Sequence, residues 1–342
     1  MRLYQRLLLA ATLLAVIVIG LGAYVRLSDA GLGCPDWPGC YGHLIGVPEA
    51  AHEQQAASQA FPQRPVDTGK AWKEMIHRYC AGALGLLILA ICLLSWRREI
   101  RQRQSPALPT TLLGLVGLQA ALGMWTVTLL LKPVIVTLHL LGGMSTLAVL
   151  VALSLRSASS GAPAADQALR PAAALALLVV VAQIALGGWV SSNYAALACT
   201  SFPLCQGAWL PSMDFAQAFS LHRELGQTAD GGLLSFAALT AIHWSHRVGA
   251  LIVFLVVGSL ALGLLKDGEP RWRHWGILLL CVLGMQVGLG IANVLLSLPL
   301  ALAVGHNLGA ASLLSVTLAI NLRLRHGASS RSQCHTAQAA LG

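Results

Sequence analysis

The chain has 342 residues, of which 56% are hydrophobic and only 10% charged, and its mean hydropathy is +0.70. Soluble domains carry roughly 25% charged residues, so a soluble enzyme or binding module is excluded. The net charge of +9 therefore calls for a membrane explanation first, not a nucleic-acid one.

Crossing about 30 Å of hydrocarbon takes about 20 apolar residues. Eight stretches qualify, near 7–25, 75–96, 108–131, 133–155, 171–191, 240–265, 275–297 and 299–322. Ser28-Asp29-Ala30 after the first stretch loosely fits a signal-peptide cleavage site. That stretch is long for a signal peptide and matches 171–191, so it is read as a permanent span. Long loops follow the first and fifth spans, at about 26–72 and 192–239, and the apolar segment 230–241 is expected to form an interfacial helix. Pro133 and Pro299 fall at the starts of the fourth and eighth helices, where the missing N–H costs nothing. A linker at 157–170, rich in Ala, Ser and Gly, separates a half at 1–156 from a half at 171–325, and 326–342 is a tail.

With the N-terminus inside, 14 of the 22 Lys and Arg residues lie on the inner side and 8 on the outer, although the longest loops are outer. The basic balance is thus a positive-inside bias. The expected fold class is an all-α integral membrane protein, with eight transmembrane helices as two pseudo-symmetric four-helix bundles. Each half has an even number of spans, so both insert the same way, about an axis along the membrane normal.

The halves repeat each other in their polar residues. Gly22-Ala23-Tyr24-Val25, Cys34 and Cys40-Tyr41-Gly42 recur as Gly187-Gly188-Trp189-Val190, Cys199 and Cys205-Gln206-Gly207, at an offset of 165. Glu74-x-x-His77-Arg78, Gln119-x-x-x-Gly123 and His139 recur as His243-x-x-His246-Arg247, Gln286-x-x-x-Gly290 and His306, at offsets of 167 to 169.

Ionisable residues inside a membrane are expensive, face the bundle interior and mark function. His77, His139, His246 and His306 all fall in the outer third of the membrane at similar depths. Two helices presenting one imidazole each at one depth can clamp a haem iron from both sides. A polar contact between helices is the alternative for any one of them. Arg78 and Arg247 lie at the rim, where a guanidinium can pair with haem carboxylates or simply anchor the interface. Glu74 sits one turn before His77, while its counterpart by offset is His243. A carboxylate beside a partly dry site suits general-base work or stabilisation of developing positive charge; a helix-start residue is the alternative. Its presence in one copy assigns chemistry to the first half and a permanent cofactor to the second.

Cys34, Cys40, Cys199 and Cys205 lie in loops on the oxidising face, where disulfides persist. Their spacing permits bonding without proving it, and each pair is either a loop staple or a redox-active couple. Zinc is less attractive, because no CxxC or close His accompanies them. Cys80, Cys92, Cys281 and Cys334 are expected only to pack. His43, His52, His222, His274, His326 and His335 fall in loops or tail and are read as solvated.

The string Tyr24-Val25-Arg26-Leu27, Gly31-Leu32-x-Cys34-Pro35-Asp36-Trp37-Pro38-x-Cys40-Tyr41-Gly42, with Glu74-x-x-His77-Arg78, resembles the haem A synthase family over nearly the whole chain. The resemblance implies oxidation of the C8 methyl group of haem O to a formyl group, giving haem A for terminal oxidases in the cell inner membrane, with both termini cytoplasmic. It implies that His77 and His139 flank the substrate haem, with Glu74 as catalytic carboxylate, and that His246 and His306 ligate a haem b cofactor. Cys34 and Cys40 would be the pair tied to activity, and Cys199 and Cys205 a second-half disulfide. The partners implied are haem O, haem O synthase and terminal oxidase assembly, with an electron acceptor that the sequence does not name. A di-haem electron-transfer protein that leaves haem unmodified is the main alternative; a thiol oxidase and a haem carrier are others.

Overall fold

The computed structural model describes residues 1–157 and 168–339, with side chains through Arg325. Most of the linker, the tail histidines His326 and His335, and the Cys334 side chain lie outside the described residues. Among the described residues the chain is helical, with isolated β-bridges and no strand. In order it forms α1 (Arg2–Leu27), α2 (Ala51–Ala60), α3 (Thr68–Ser95), α4 (Arg98–Arg101), α5 (Ala107–Thr128), α6 (Pro133–Ser157), α7 (Leu169–Ser192), a 3₁₀ turn at Ala195–Leu197, α8 (Phe215–Ala218), α9 (Phe236–Lys266), α10 (Pro270–Leu295) and α11 (Leu300–Ala339). Eight of these are long and apolar enough to cross a membrane: α1, α3, α5, α6, α7, α9, α10 and the Leu300–Arg325 part of α11.

The helix ends differ from the hydropathy pattern for local reasons. α3 begins well before its apolar stretch because Asp67 caps it, accepting a 2.9 Å bond from the Lys70 amide. Ser235 caps α9 in the same way through the Ala238 amide at 3.2 Å. The segment 230–241 is therefore not a separate interfacial helix: Gly231 turns the chain at φ +82°, and from Phe236 onward the segment is the first turns of α9. The loop helix that does form, α2, is polar and escaped the hydropathy reading.

α1 packs on α3, α6 and α11, and α7 packs on α9, α6 and α11, so α1, α6, α7 and α11 form the centre. One apolar core runs through it, from Tyr4, Leu8 and Leu150 to Val257, Trp272 and Leu324. Lipid is as apolar as leucine, so helices associate in it by close packing of small residues. Ala11, Ala15, Ala173, Ala176 and Ala261 are all fully buried here, while Leu9, Leu86 and Leu178 face outward.

Polar ties cross between the halves at the outer ends of α1 and α7. Arg26 Nη2 donates to the Ser191 carbonyl at 2.7 Å, and its guanidinium lies 3.9 Å from the Tyr194 ring centre. The Tyr194 hydroxyl donates to Asp29 Oδ1 at 3.1 Å, and Lys70 Nζ donates to Oδ2 at 3.2 Å. Thr137 meets Ser192 at 3.2 Å, and Lys132 pairs with Glu224 at 2.8 Å. Arg26 and Ser191, like Asp29 and Tyr194, are 165 residues apart, the offset of the sequence repeat.

The Lys70 hydrogen bond first, then that of Tyr194 and the charges of Lys70 and Arg26, lower the Asp29 pKa below the usual carboxylate value and outweigh the opposing desolvation. A carboxylate with a lowered folded pKa contributes stability above its unfolded pKa and loses it as pH falls through the folded value. Asp29→Asn is thus expected to lower the melting temperature at neutral pH, and the deficit relative to the unsubstituted chain to shrink on acidification through the carboxylate range. The pair is exposed, so the effect is about 0.2–1 kcal/mol. Melting curves across a pH series in detergent check both sign and size.

Candidate functional site

Both outer cysteine pairs are closed: Cys34 is bonded to Cys40 and Cys199 to Cys205. Each loop ends in a tight bridge, Cys40 with His43 and Cys205 with Ala208. An arginine one helix away gathers the carbonyls of each loop. Arg78 Nη1 donates to Asp36 at 3.1 Å, Pro38 at 3.2 Å and Gly39 at 2.5 Å. Arg247 donates to Ser201 at 2.8 Å, Leu204 at 3.1 Å and Cys199 at 2.8 Å. Both guanidinium groups, placed at the rim by the sequence, bond to the carbonyls of the cysteine loops. The planar fork of N–H donors suits a cluster of adjacent loop carbonyls.

Glu74 belongs to this unit. One carboxylate oxygen accepts from the Cys34 amide at 3.0 Å, and the other pairs with Arg78 Nη2. In the second half the same place is held by His243, whose Nδ1 accepts from the Cys199 amide at 3.2 Å, with Arg247 Nε 3.4 Å from its Nε2. Both side chains are buried. One scaffold therefore carries an anion in one copy and an imidazole in the other, in each case one helical turn above the next histidine.

Those next histidines, His77 and His246, lie on α3 and α9, and His139 and His306 on α6 and α11. Each ring rests on a glycine of a neighbouring helix. A Cβ at Gly22 would come 3.0 Å from His77, one at Gly123 3.4 Å from His139, one at Gly187 3.1 Å from His246 and one at Gly290 3.1 Å from His306. The glycines recognised in the repeat are thus the floor under the four imidazoles. The rings of His246 and His306 lie 6.5 Å apart between centres with their planes at 80°, an edge arrangement. That gap leaves room for one metal atom at about 2 Å from a nitrogen of each ring.

The amide of Gln183 lies 3.0 Å from Nδ1 of His246 and donates to the His246 carbonyl at 2.9 Å, leaving Nε2 as the nitrogen available to a metal. Nδ1 of His77, His139 and His306 is buried without a hydrogen-bond partner, and buried polar atoms of this kind ask for an explanation. Among the described residues no three His, Cys, Asp or Glu side chains converge on one point.

Two residues escaped the sequence reading. Gln183 replaces Val18 of the first half at the repeat offset, so it is a polar residue that breaks the duplication in the middle of a span. Arg223 is 1% exposed, reaches Asn193 Oδ1 at 2.5 Å and lies 5.6 Å from the Trp189 ring. Burial lowers its pKa, and no sequence signal marks it out in a polar loop. His52, His222 and His274 are exposed, as solvated residues would be. Of the free cysteines Cys92 is buried and Cys80 half-buried, while Cys281 is on the outer surface of the bundle and does not pack.

These features define an eight-span helical membrane protein that carries two imidazole pairs beneath two disulfide loops. Residues 5–318 match the family described as cytochrome oxidase assembly protein, COX15-CtaA, and the chain belongs to that family. It is 46% identical to a heme A synthase of Shewanella oneidensis over 332 residues, covering 96% of this chain and 98% of the relative. It is also 30% identical to a heme A synthase of Chelativorans, covering 86% and 83%, and 29% identical to one of Mesorhizobium japonicum, covering 86% and 82%.

The two caps are expected to differ in strength. Glu74→Ala leaves the half-buried Arg78 guanidinium without its counter-charge, a loss of about 2 kcal/mol. His243→Ala removes a neutral hydrogen bond, about 1 kcal/mol. Amide exchange by mass spectrometry reads this as a larger loss of protection in residues 34–42 for the first variant than in residues 199–207 for the second.

Proposed function

We propose that this chain oxidises the C8 methyl group of haem O to a formyl group, making haem A for terminal oxidases. In this reading His246 and His306 hold a haem b cofactor and His77 and His139 flank the substrate haem. The paired rings of His246 and His306 support haem in the second half, and the glycines beside all four histidines support a matching place in the first. A bound haem b supplies a redox centre. The observation that carries the reading is the asymmetry at the caps: Glu74 stands in the first half where His243 stands in the second. Electron transfer alone has no use for a carboxylate beside one haem only. Oxidation of a methyl group releases protons and builds positive charge, which an acceptor one turn above His77 takes up or stabilises.

Arg78 and the Cys34 amide orient that carboxylate, so the Cys34–Cys40 loop is a positioning element of the substrate half. Cys199–Cys205 is a staple over the cofactor half. The functional division is 1–156 for substrate and 171–325 for cofactor, with a pseudo-two-fold axis along the membrane normal. Contacts between positions one repeat apart, Arg26 with Ser191 and Asp29 with Tyr194, support the axis, since equivalent residues meet at a two-fold. The positive-inside bias supports an inner-membrane location with both termini cytoplasmic. Haem O synthase and the terminal oxidase are the assembly partners that follow from this activity.

Haem extracted from membranes that contain this chain together with a haem O producer is expected to include haem A, and unchanged haem O would refute the activity. Glu74→Gln is expected to retain the second-half haem and stop haem A formation. His306→Ala is expected to lose the low-spin haem b spectrum, because a vacant axial position changes spin state.

A further inference from the structure

The cysteine loops carry apolar residues at their tips that the fold does not bury. Leu44 and Ile45 are 74% and 85% exposed, and Trp209 and Leu210, their counterparts at offset 165, are 70% and 72% exposed. On the same loops Trp37 and Phe202, again a matched pair, are partly exposed. A tip facing water is normally polar, and a contiguous exposed apolar patch marks an interaction surface.

The helices behind the loops set the level of these tips. On α3 residues 79–96 are uncharged between Arg78 and Arg97, and on α9 residues 248–265 are uncharged between Arg247 and Lys266. Each stretch rises about 27 Å at 1.5 Å per residue, close to the roughly 30 Å of bilayer hydrocarbon. The outer boundary of the hydrocarbon thus lies at Arg78 and Arg247, the residues that gather the loops.

The tips are pinned to that boundary from the side. The Tyr79 hydroxyl accepts from the Gly46 amide at 2.8 Å, and Trp244 Nε1 donates to the Trp209 carbonyl at 2.9 Å, with Phe215 edge-on to Trp244. Tyr79 heads an exposed stripe on α3 that continues through Leu86 and Leu93. On α9 the corresponding stripe runs through Val248, Leu251, Leu255 and Leu262. Spacings of three, four and seven residues keep these side chains on one helix face. Each tip therefore sits at the head of a lipid-facing surface, with a tyrosine or tryptophan beside it of the kind that favours the membrane interface.

We propose that the two cysteine loops are seated in the outer leaflet, with Leu44–Ile45 and Trp209–Leu210 inserted at the boundary between headgroups and acyl chains. The partner of this surface is lipid. The inference rests on the helices spanning a membrane and is independent of the haem chemistry.

Spin labels test it in the full chain in lipid vesicles, with Cys80, Cys92, Cys281 and Cys334 replaced by serine and the disulfides checked by mass. Labels are placed at Ile45→Cys and, in a separate protein, Leu210→Cys. Leu86→Cys gives the lipid reference and Gln59→Cys the water reference. Both tips are expected to collide with oxygen more than position 59 but less than the deeper position 86, and with a water-soluble nickel chelate several-fold less than position 59. Nickel collisions equal to those at 59 would overturn the proposal in favour of water. Shielding from both reagents would overturn it in favour of a protein contact.

Discussion

An imidazole ring pressed edge-on against the backbone of a neighbouring helix is the constraint from which the rest of this molecule follows. A Cβ there would stand only 3.0–3.4 Å from the ring, and α1, α5, α7 and α10 each present a glycine at that place. Such an approach fixes how close two helices run and how they are rotated. In lipid, where burial of apolar surface does not drive helices together, shape of this kind decides packing. Gln119 and Gln286 reinforce it by filling the space beside Gly142 and Gly309 on the helices that bear His139 and His306.

Above His77 and above His246 the design is a cap made of three parts: an arginine that collects loop carbonyls, an acceptor for the first cysteine amide, and the disulfide itself. The hydrogen-bond pattern is the same in both halves although the acceptor is a carboxylate in one and an imidazole in the other. Conserving the scaffold while changing one acceptor lets a duplicated protein alter the chemistry over one site without refolding the loop. Gln183 beside His246, where the first half has Val18, is the matching change below the ring.

The eight spans were legible because uncharged runs long enough to cross a bilayer admit little else. The four histidines and their glycines were legible because duplication repeats rare residues in a greasy background. What escaped has identifiable causes. α2 has no apolar stripe, and the start of α9 was set by the Ser235 cap and the Gly231 turn, which outweigh the hydropathy of 230–241. The carbonyls that Arg78 and Arg247 gather lie some 40 residues earlier in the chain, a contact that only the folded loop creates. Gln183 and Arg223 break or lie outside the repeat, so a reading built on the repeat passes over them.

The strapping across the outer face has a mechanical consequence. Many duplicated membrane proteins work as transporters by rocking one repeat against the other. Here Arg26, Asp29, Thr137 and Lys132 of one half are tied to Ser191, Tyr194, Ser192 and Glu224 of the other, and a single apolar core continues beneath them. Rocking would have to break those bonds and open that core together. The ties and the shared core thus join the two halves into one frame that resists alternating access.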